Sequence, residues 1–303
     1  MSYHVPVLLK QSVEGLNIQA GGIYVDVTFG GGGHAQAIFE QMKQGTLIAF
    51  DQDPDAAKNT ASFESDAQRP FIFIASNFRH LKRYLKFHKI DKVDGILADL
   101  GVSSHQFDQQ NRGFSTRFDG ALDMRMDQVS TITAAKVVNE YSEEVLIQLL
   151  SRYGEIRNAK RLAAEIISAR AIAPIHTTAA LRSIAMKSAP NGKHAKYSAQ
   201  LFQAIRIEVN DEINALKEFL IQSKDVLKVG GRLVIISYHS LEDRLAKFLI
   251  NTGNLEGIVE KDFFGNIIRP FEPMKGRLIT PAENEIALNN RARSAKLRIG
   301  IKN

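Results

Sequence analysis

The stretch Asp26-Val-Thr-Phe-Gly-Gly-Gly-Gly-His34 decides the fold of this chain. It follows Gly22-Ile-Tyr-Val, a short apolar run that predicts a buried strand, and it precedes Ala35-Gln-Ala-Ile-Phe-Glu, which predicts the start of a helix. Glycine has no Cβ and tolerates positive φ, so a glycine-rich backbone can pass close to a ligand. The free N–H groups at the start of the helix then face that ligand. Strand, glycine turn and helix together predict the ligand-binding corner of a Rossmann-type fold.

The glycines fit two cofactor patterns. Gly30-x-Gly32-x-x-Ala35 satisfies the dinucleotide-binding pattern, and Asp26-x-x-x-Gly30-x-Gly32 equally satisfies the pattern of S-adenosylmethionine-dependent methyltransferases. A glycine turn that binds nothing is the third interpretation, because glycine clusters are common in ordinary turns. The motif therefore predicts the fold more sharply than the ligand.

Composition excludes several classes of protein. The chain has 303 residues, of which 44% are hydrophobic, so one large or two medium domains with a packed core are expected. It has no apolar run of about eighteen residues and no secretory signal at its start, so we expect a cytoplasmic protein without a membrane span. Cysteine is absent, which removes disulfides, thiolate metal sites and cysteine nucleophiles, and we expect no metal site. The net charge of +6 weakly favours an acidic partner such as nucleic acid.

Further apolar runs end in polar or aromatic residues. The runs over residues 45–51, 71–75 and 93–100 alternate with helical patterns, which predicts a parallel sheet covered by helices on both faces. Ligands of such sheets bind beyond the carboxyl ends of the strands. We therefore expect one site made by four strand ends, with Asp26, Asp51, Phe78 and Asp99. Asp51 lies about twenty residues beyond the glycines, where an acid usually binds a ribose diol.

The pattern changes over residues 109–200. This part has no strand-like run and has helical stretches at 143–150, 159–171 and 178–187, so we predict a helical insertion, with the sheet domain made by residues 1–108 and 201–303. The insertion has 13 lysines and arginines against 8 acidic residues, an excess of five positive charges. A solvated helical surface and a nucleic-acid-binding surface both fit this excess.

The last hundred residues predict one more helical region and two more strands, over residues 200–228, 232–237 and 294–300. Ser240 is expected to cap the helix that follows the first of these strands, with Asp243 at its third position. His239 fits a packing or capping role and a contact with substrate equally well.

Segments along nearly the whole chain match, in order, the motifs of one family. The segments are His4-Val-Pro-Val-Leu-Leu, Asp26-x-Thr-Phe-Gly-x-Gly-Gly-His34, Asp51-x-Asp-Pro54, Asn77-Phe78, Asp99-Leu-Gly-Val-Ser-Ser104 with Gln106, Arg112-Gly-Phe-Ser115, Leu122-Asp-Met-Arg-Met126, Phe202-Gln-Ala-x-Arg206 and His239-Ser-Leu-Glu-Asp-Arg244. The chain thus resembles the bacterial 16S ribosomal RNA cytosine-N4 methyltransferases of the RsmH or MraW type. Ala121 and Asn290 depart from the family pattern, which has proline at both positions, and both departures concern loop shape.

The resemblance implies an α/β fold of the class I S-adenosylmethionine-dependent methyltransferase type, Rossmann-like with a mostly parallel sheet and an inserted all-helical domain that recognises substrate. It implies methylation of the exocyclic N4 of a cytidine in 16S ribosomal RNA, with the small ribosomal subunit rather than DNA as the partner. It also implies that the cofactor S-adenosyl-L-methionine contacts Gly32, Gly33, His34, Asp51, Phe78, Asp99 and Gln106.

Residue types suggest roles within that set. Asp51 can accept hydrogen bonds from both ribose hydroxyls, and Phe78 can pack on adenine. The N4 amine is a poor nucleophile because its lone pair is delocalised into the ring, so an acceptor for one of its hydrogens favours attack. We name Asp99 and His239 as catalytic candidates.

The group that clamps the target base stays open. Amino-methyltransferases acting on DNA commonly use Ser/Asp-Pro-Pro-Tyr, and this chain has Asp99-Leu-Gly-Val-Ser-Ser104 in its place. Tyr238, His239 and Phe107 are unranked candidates for that clamp.

Two other functions are weighed against RNA methylation. A nicotinamide-dependent oxidoreductase fits the glycines and Asp51, but Asp26 and the lack of a hydride-transfer partner set argue against it. A non-catalytic ribosome-assembly factor would keep only a vestigial pocket, but Asp51, Asp99 and Gln106 are intact. The absence of cysteine excludes the thiolate adduct of cytosine C5 methylation and favours a heteroatom acceptor. We expect the insertion, with Arg291 and Arg293, to bind the RNA.

Overall fold

The computed structural model describes residues 6–274 and 278–303, so His4 and Val5 of the family-like opening segment lie outside the described residues. The chain divides into two compact units. The first comprises Met1–Gly101 with Ile213–Asn303, and the second comprises Val102–Glu212.

The described residues form seven strands, β1 Ile23–Asp26, β2 Thr46–Asp51, β3 Phe71–Ala75, β4 Val93–Asp99, β5 Leu227–Ser237, β6 Phe271–Pro273 and β7 Lys296–Lys302. They also form helices, α1 Leu9–Leu16, α2 Gly33–Gln41, α3 Leu81–Phe87, α4 Ser104–Asp108, α5 Ala134–Glu140, α6 Glu143–Arg152, α7 Ala159–Ile172, α8 Thr178–Ser188, α9 His194–Asn210, α10 Glu212–Val226, α11 Ser240–Thr252 and α12 Glu283–Leu288. None of the described helices is both long and apolar enough to span a bilayer.

The strands make one sheet in the first unit, in the order β3-β2-β1-β4-β5-β7-β6. The pairs among β1 to β5 are parallel, and β7 pairs antiparallel with β5 and with β6. The order reverses between β1 and β4, the switch point at which α/β sheets of this kind bind ligands. The predicted fold class is confirmed: the protein is α/β, with the Rossmann-like, mostly parallel sheet of a class I S-adenosylmethionine-dependent methyltransferase.

Helices cover both faces of the sheet. On one face, α1 and α2 belong to a core that includes Leu97 and Ile299. On the other, Phe50 of β2 meets the Tyr84 ring of α3 at 6.0 Å between centroids. Burial on both sides explains why β2 and β4 read as continuous apolar runs rather than alternating ones.

The fifth strand, β5, begins earlier than the sequence predicts. β5 starts at Leu227 rather than at residue 232, and Gly230 and Gly231 lie inside it. The pairing with β4 shifts register between Val93 and Gly95 at this point, and Gly230 has φ of +79°. A glycine pair that reads as a helix stop in the sequence is therefore a strand irregularity. The three-residue β6 has no sequence signal of its own.

The second unit is helical and has its own core. Its buried side chains come from α5 to α9 and include Leu146, Leu162, Leu181 and Leu201. This unit begins before residue 109 and ends after residue 200, because beyond residue 200 α9 supplies Leu201 and four further buried side chains to the same core, and Phe107 packs against it.

Candidate functional site

The glycine stretch forms a sharp turn between β1 and α2. Gly30 and Gly32 have φ of +49° and +80°, a region that favours glycine. A Cβ placed on Gly31 would meet no atom of the described residues within 4 Å, so no part of the described chain covers the turn there. Asp26, at the end of β1, accepts a hydrogen bond from the Thr28 N–H at 3.0 Å. Its other oxygen, Oδ2, is buried without a hydrogen-bond partner among the residues that the structure describes.

Asp51 ties the same turn to the end of β2. Its Oδ2 accepts the Gly30 N–H at 2.7 Å, and its Oδ1 accepts the Asp53 N–H at 2.8 Å. The Gln52 N–H also favours the charged carboxylate. Two carboxylate oxygens offer about four acceptor positions, so acceptor capacity remains for a ligand. Asn59 also donates from Nδ2 to the Gly30 carbonyl at 2.9 Å. Asp51 therefore fixes the turn in addition to any ligand that it binds.

Asp99 lies at the end of β4 in contact with two other polar side chains. The Tyr238 hydroxyl donates to Asp99 Oδ1 at 2.8 Å, and His34 Nδ1 lies 3.6 Å from Asp99 Oδ2. The Asp99 N–H donates to Thr28 Oγ1 at 2.7 Å, which links the end of β4 to that of β1. His34 Nε2 lies 3.1 Å from the Val7 carbonyl oxygen.

Burial dominates the electrostatics of these strand ends. It raises the pKa of Asp26 and of Asp51 to about 6 and that of Asp99 to about 7, and the hydrogen bond from Tyr238 opposes the rise at Asp99. Burial lowers the pKa of His34 and raises that of Tyr238 well above its usual value. A buried carboxylate is stabilised by a nearby opposite charge, so these three carboxyl groups at one sheet edge favour the binding of a cation.

Phe78 begins a short 3₁₀ turn after β3, where Asn77 caps the turn by accepting the Arg79 N–H at 2.9 Å. The Phe78 ring lies 5.5 Å from the Phe219 ring of α10 in a T-shaped arrangement. Phe219 is fully buried and Phe78 is half-buried, so Phe78 keeps apolar surface open to a ligand.

Gln106 belongs to the second unit. It is buried in a capping box at the start of α4, in which its Oε1 accepts the Ser103 N–H at 3.0 Å. Its N–H donates to Ser103 Oγ at 3.3 Å.

The capping of α11 differs from the sequence prediction. His239, not Ser240, is the N-cap residue of α11, and Glu242, not Asp243, holds the third helical position. Glu242 Oε2 accepts the Tyr238 and His239 N–H groups at 2.9 and 3.3 Å, and its Oε1 lies 3.2 Å from His239 Nε2. Asp243 instead accepts a hydrogen bond from Arg298 at 2.7 Å.

The structure brings Asp99 together with Tyr238 and His34, and it pairs His239 with Glu242. Tyr238 is only an unranked candidate in the sequence. The signal that identifies it is its place directly after β5, since β5 pairs with β4 and both strands end at the same edge of the sheet.

These strand ends fit the cofactor that the resemblance implies. The open side of Gly31 leaves room for a ligand against the turn, and the unpartnered Asp26 Oδ2 calls for a donor. The half-buried Phe78 and the remaining acceptor positions of Asp51 suit an aromatic base and a ribose.

The whole chain, residues 1–303, matches the profile of the MraW methylase family. The ribosomal RNA small subunit methyltransferase H of Amoebophilus asiaticus is 56% identical over 299 residues, which is 99% of this chain and 96% of that protein. The protein of the same name from Cytophaga hutchinsonii is 55% identical over 98% of both chains. Among solved structures, an rRNA methylase from Streptococcus thermophilus is 14% identical with a TM-score of 0.44, over 100% of this chain and 98% of that one.

Proposed function

The chain belongs to the MraW methylase family, and from that premise we propose that it methylates small-subunit ribosomal RNA with S-adenosylmethionine as donor. Relatives that are 56% and 55% identical over nearly the full length have the name ribosomal RNA small subunit methyltransferase H. We propose further that the acceptor is the exocyclic N4 of a cytidine in 16S ribosomal RNA, and that the reaction takes place in the cytoplasm. Membership in a methylase family leaves the oxidoreductase interpretation without support.

S-adenosylmethionine would supply a methyl group on a positively charged sulfur. In this proposal Asp51 accepts hydrogen bonds from the ribose, Phe78 packs on adenine, and the turn of Gly32, Gly33 and His34 borders the methionine part. Gln106 completes the proposed set, as the resemblance implies. Asp26 Oδ2, the buried oxygen without a partner among the described residues, is suited to the ammonium group.

The observation that carries the choice of an amine acceptor is the environment of Asp99. Its Oδ1 is fixed by the Tyr238 hydroxyl at 2.8 Å, and its side chain remains 23% exposed. A fixed carboxylate with one accessible oxygen can accept a hydrogen from an amine while the amine attacks in line. His239 Nε2 lies 3.2 Å from Glu242 Oε1, but neither ring nitrogen has a hydrogen-bond partner among the described residues. We therefore keep His239 as a candidate for contact with the target base.

The second unit offers a basic surface for RNA phosphates. No Asp or Glu lies between Glu165 and Glu208, a stretch with six lysines and arginines. The start of α7 joins the end of α8, because Arg161 donates to the Lys187 carbonyl at 2.9 Å. Exposed Lys160, Lys193 and Lys196 flank these segments. We propose that this surface, with exposed Arg291 and Arg293, binds the RNA backbone, which positions the substrate without reading its sequence.

The test is incubation of the protein with isotopically labelled S-adenosylmethionine and unmethylated small ribosomal subunits, followed by nucleoside mass spectrometry. We expect label in N4-methylcytidine, and no label with the Asp99→Asn variant. Label in 5-methylcytidine or in a methylated adenosine alone would overturn the acceptor. No label at all with a folded wild-type protein would overturn the methyltransferase assignment for this substrate.

A further inference from the structure

His34 is held in one protonation form by its surroundings. Its Nε2 lies 3.1 Å from the Val7 carbonyl oxygen, which can only accept, so Nε2 has the hydrogen. The ring is 6% exposed, and burial lowers its pKa, so it is neutral near pH 7. Nδ1 then has the lone pair of the ring.

That lone pair faces Asp99. The distance from Nδ1 to Asp99 Oδ2 is 3.6 Å, and Asp99 Oδ1 already receives the Tyr238 hydroxyl. Two acceptors that face each other in a buried place repel unless a proton lies between them. The structure thus contains a position for one mobile proton, with Oδ2 on one side and Nδ1 on the other.

Several titratable groups surround this position. They are His34 from α2, Tyr238 after β5, Glu242 from α11 and Asp26 at the end of β1. Glu285 of α12 faces Tyr238 from a further side. The negative charge of Glu242 adds to the burial that raises the pKa of Asp99, and the hydrogen bond from the Tyr238 hydroxyl opposes that rise.

We propose that Asp99 Oδ2 accepts the proton that the target amine loses and that His34 Nδ1 holds it next, while the Tyr238 hydroxyl positions the carboxylate. This inference rests on the proposed function. Asp99 is the catalytic residue of the set, and His34 and Tyr238 act through it.

The protons and bonds balance in this scheme. The amine nitrogen begins with two hydrogens and ends with one. As the nitrogen–carbon bond forms and the methyl–sulfur bond breaks, the electrons of one N–H bond stay on nitrogen and the proton passes to Oδ2. Transfer to Nδ1 restores the carboxylate, and the partly exposed Asp99 later returns the proton to water.

The first test needs neither RNA nor cofactor. ¹⁵N NMR of the histidine-labelled full-length protein, with the His34 signals identified by their loss in His34→Gln, reports the tautomer and its titration. We expect the Nε2–H tautomer at neutral pH. Because Asp99 Oδ2 lies 3.6 Å from Nδ1, the His34 signals should also show an inflection from the ionisation of Asp99, near pH 7, and Asp99→Asn should remove that inflection. His88→Gln, on another helix end, should leave the His34 titration unchanged. An Nδ1–H tautomer, or an inflection near pH 7 that survives Asp99→Asn, would overturn the proposal.

The second test measures single-turnover methylation of small subunits against pH. Tyr238→Phe removes a hydrogen bond that favours the charged carboxylate, so the acid limb should move to higher pH by about one to two units. Tyr24→Phe is the matched control, because the Tyr24 hydroxyl also makes one hydrogen bond in the sheet unit, with the Gln19 N–H. A Tyr238→Phe rate that is lower at every pH, with an unmoved limb, would show a structural role only and overturn the assignment.

His34→Gln tests the role of Nδ1 separately from that of Nε2. The glutamine amide can still donate to the Val7 carbonyl, but nothing takes the place of Nδ1. We expect the plateau rate to fall about tenfold or more with KM for subunits within about twofold, and a wild-type plateau rate would overturn the role of Nδ1. Wild-type protein could fail to methylate subunits while its His34 titration still responds to Asp99→Asn. The proposed function would then be wrong, and the proton position between Asp99 and His34 would remain supported.

Discussion

At the scale of single residues, the carboxylates of the strand ends have two duties. Asp51 fixes the glycine turn through two backbone N–H groups, and Asp99 is fixed by Tyr238. The sequence predicts that these residues meet at one edge, because parallel strands end together. It does not predict the contact of His34 with Asp99, nor the hydrogen bonds from the Gly30 and Asp53 N–H groups to Asp51. These depend on side-chain rotamers and on the path of the turn, for which the chain has no periodic signal.

Asp26→Asn should show the cost of burying a carboxylate. The folded pKa of Asp26 is about 6, above the ordinary value near 3.9, so the folded state disfavours the charged form. The penalty is absent below pH 4, grows as pH rises through the window from 4 to 6 and is complete above it. Relative to wild type, Asp26→Asn should therefore gain stability over that window, on the order of 3 kcal/mol.

Urea unfolding of the protein without cofactor at pH 4, 5, 6 and 7 measures this difference. Asp66→Asn, at an exposed loop, is the control for replacing an aspartate outside the sheet. A constant difference between Asp26→Asn and wild type would contradict the buried charge.

Asp51→Ala tests the proposed ribose contact together with the hydrogen bonds that join Asp51 to the backbone of the glycine turn. Loss of charge-assisted hydrogen bonds should weaken S-adenosylmethionine binding by about ten- to a hundredfold. The melting temperature of the protein without cofactor should fall as well, because the Gly30 and Asp53 N–H groups lose their acceptor. Asp51→Asn keeps one acceptor oxygen and should fall between the two proteins in both measurements. Calorimetric titration with an unchanged dissociation constant would remove Asp51 from the proposed cofactor site.

At the scale of elements, long apolar runs are predicted well and short connections are not. β1 to β4 follow from buried runs that end in polar residues. The start of α11 is missed, because Ser240 looks like a cap in the sequence. The cap is His239, and the acceptor that fixes the turn is Glu242. The capping pattern allows two registers one residue apart, and only packing decides between them.

Glu242→Ala should destabilise the sheet unit. Glu242 is 3% exposed and accepts the N–H groups of Tyr238 and His239, so its loss leaves two partly buried donors without this acceptor. We expect a loss of about 2–4 kcal/mol in the free energy of unfolding. Glu260→Ala, at an exposed position, should change stability by less than about 0.5 kcal/mol. Chemical denaturation of both variants measures the difference, and equal stabilities would show that Glu242 does not hold this turn.

At the scale of the whole molecule, composition and charge indicate a substrate class but not a surface. The insertion is visible in the sequence as a change from strand-like to helical patterns. The unit that forms is wider, Val102–Glu212, because the hydrophobic core continues along α9 beyond residue 200. Hydrogen bonds join the start of α7 to the end of α8, although the two are far apart in the chain. The basic residues of both segments therefore lie on one part of the surface.

Replacement of Arg157, Lys160 and Arg161 by alanine tests this basic surface. All three side chains are exposed, so the cofactor affinity should stay near that of wild type. Each lost phosphate contact should reduce the slope of log affinity against log salt concentration by about one, so the triple variant should bind small subunits more weakly and with a slope flatter by up to about three. The measurement is a salt series of subunit-binding titrations. The control replaces Arg83, Lys86 and Lys89, exposed in and after α3, and should keep the wild-type slope. Equal slopes for wild type and the α7 variant would mean that this part of the surface is solvated in the complex, and that the RNA backbone is bound elsewhere.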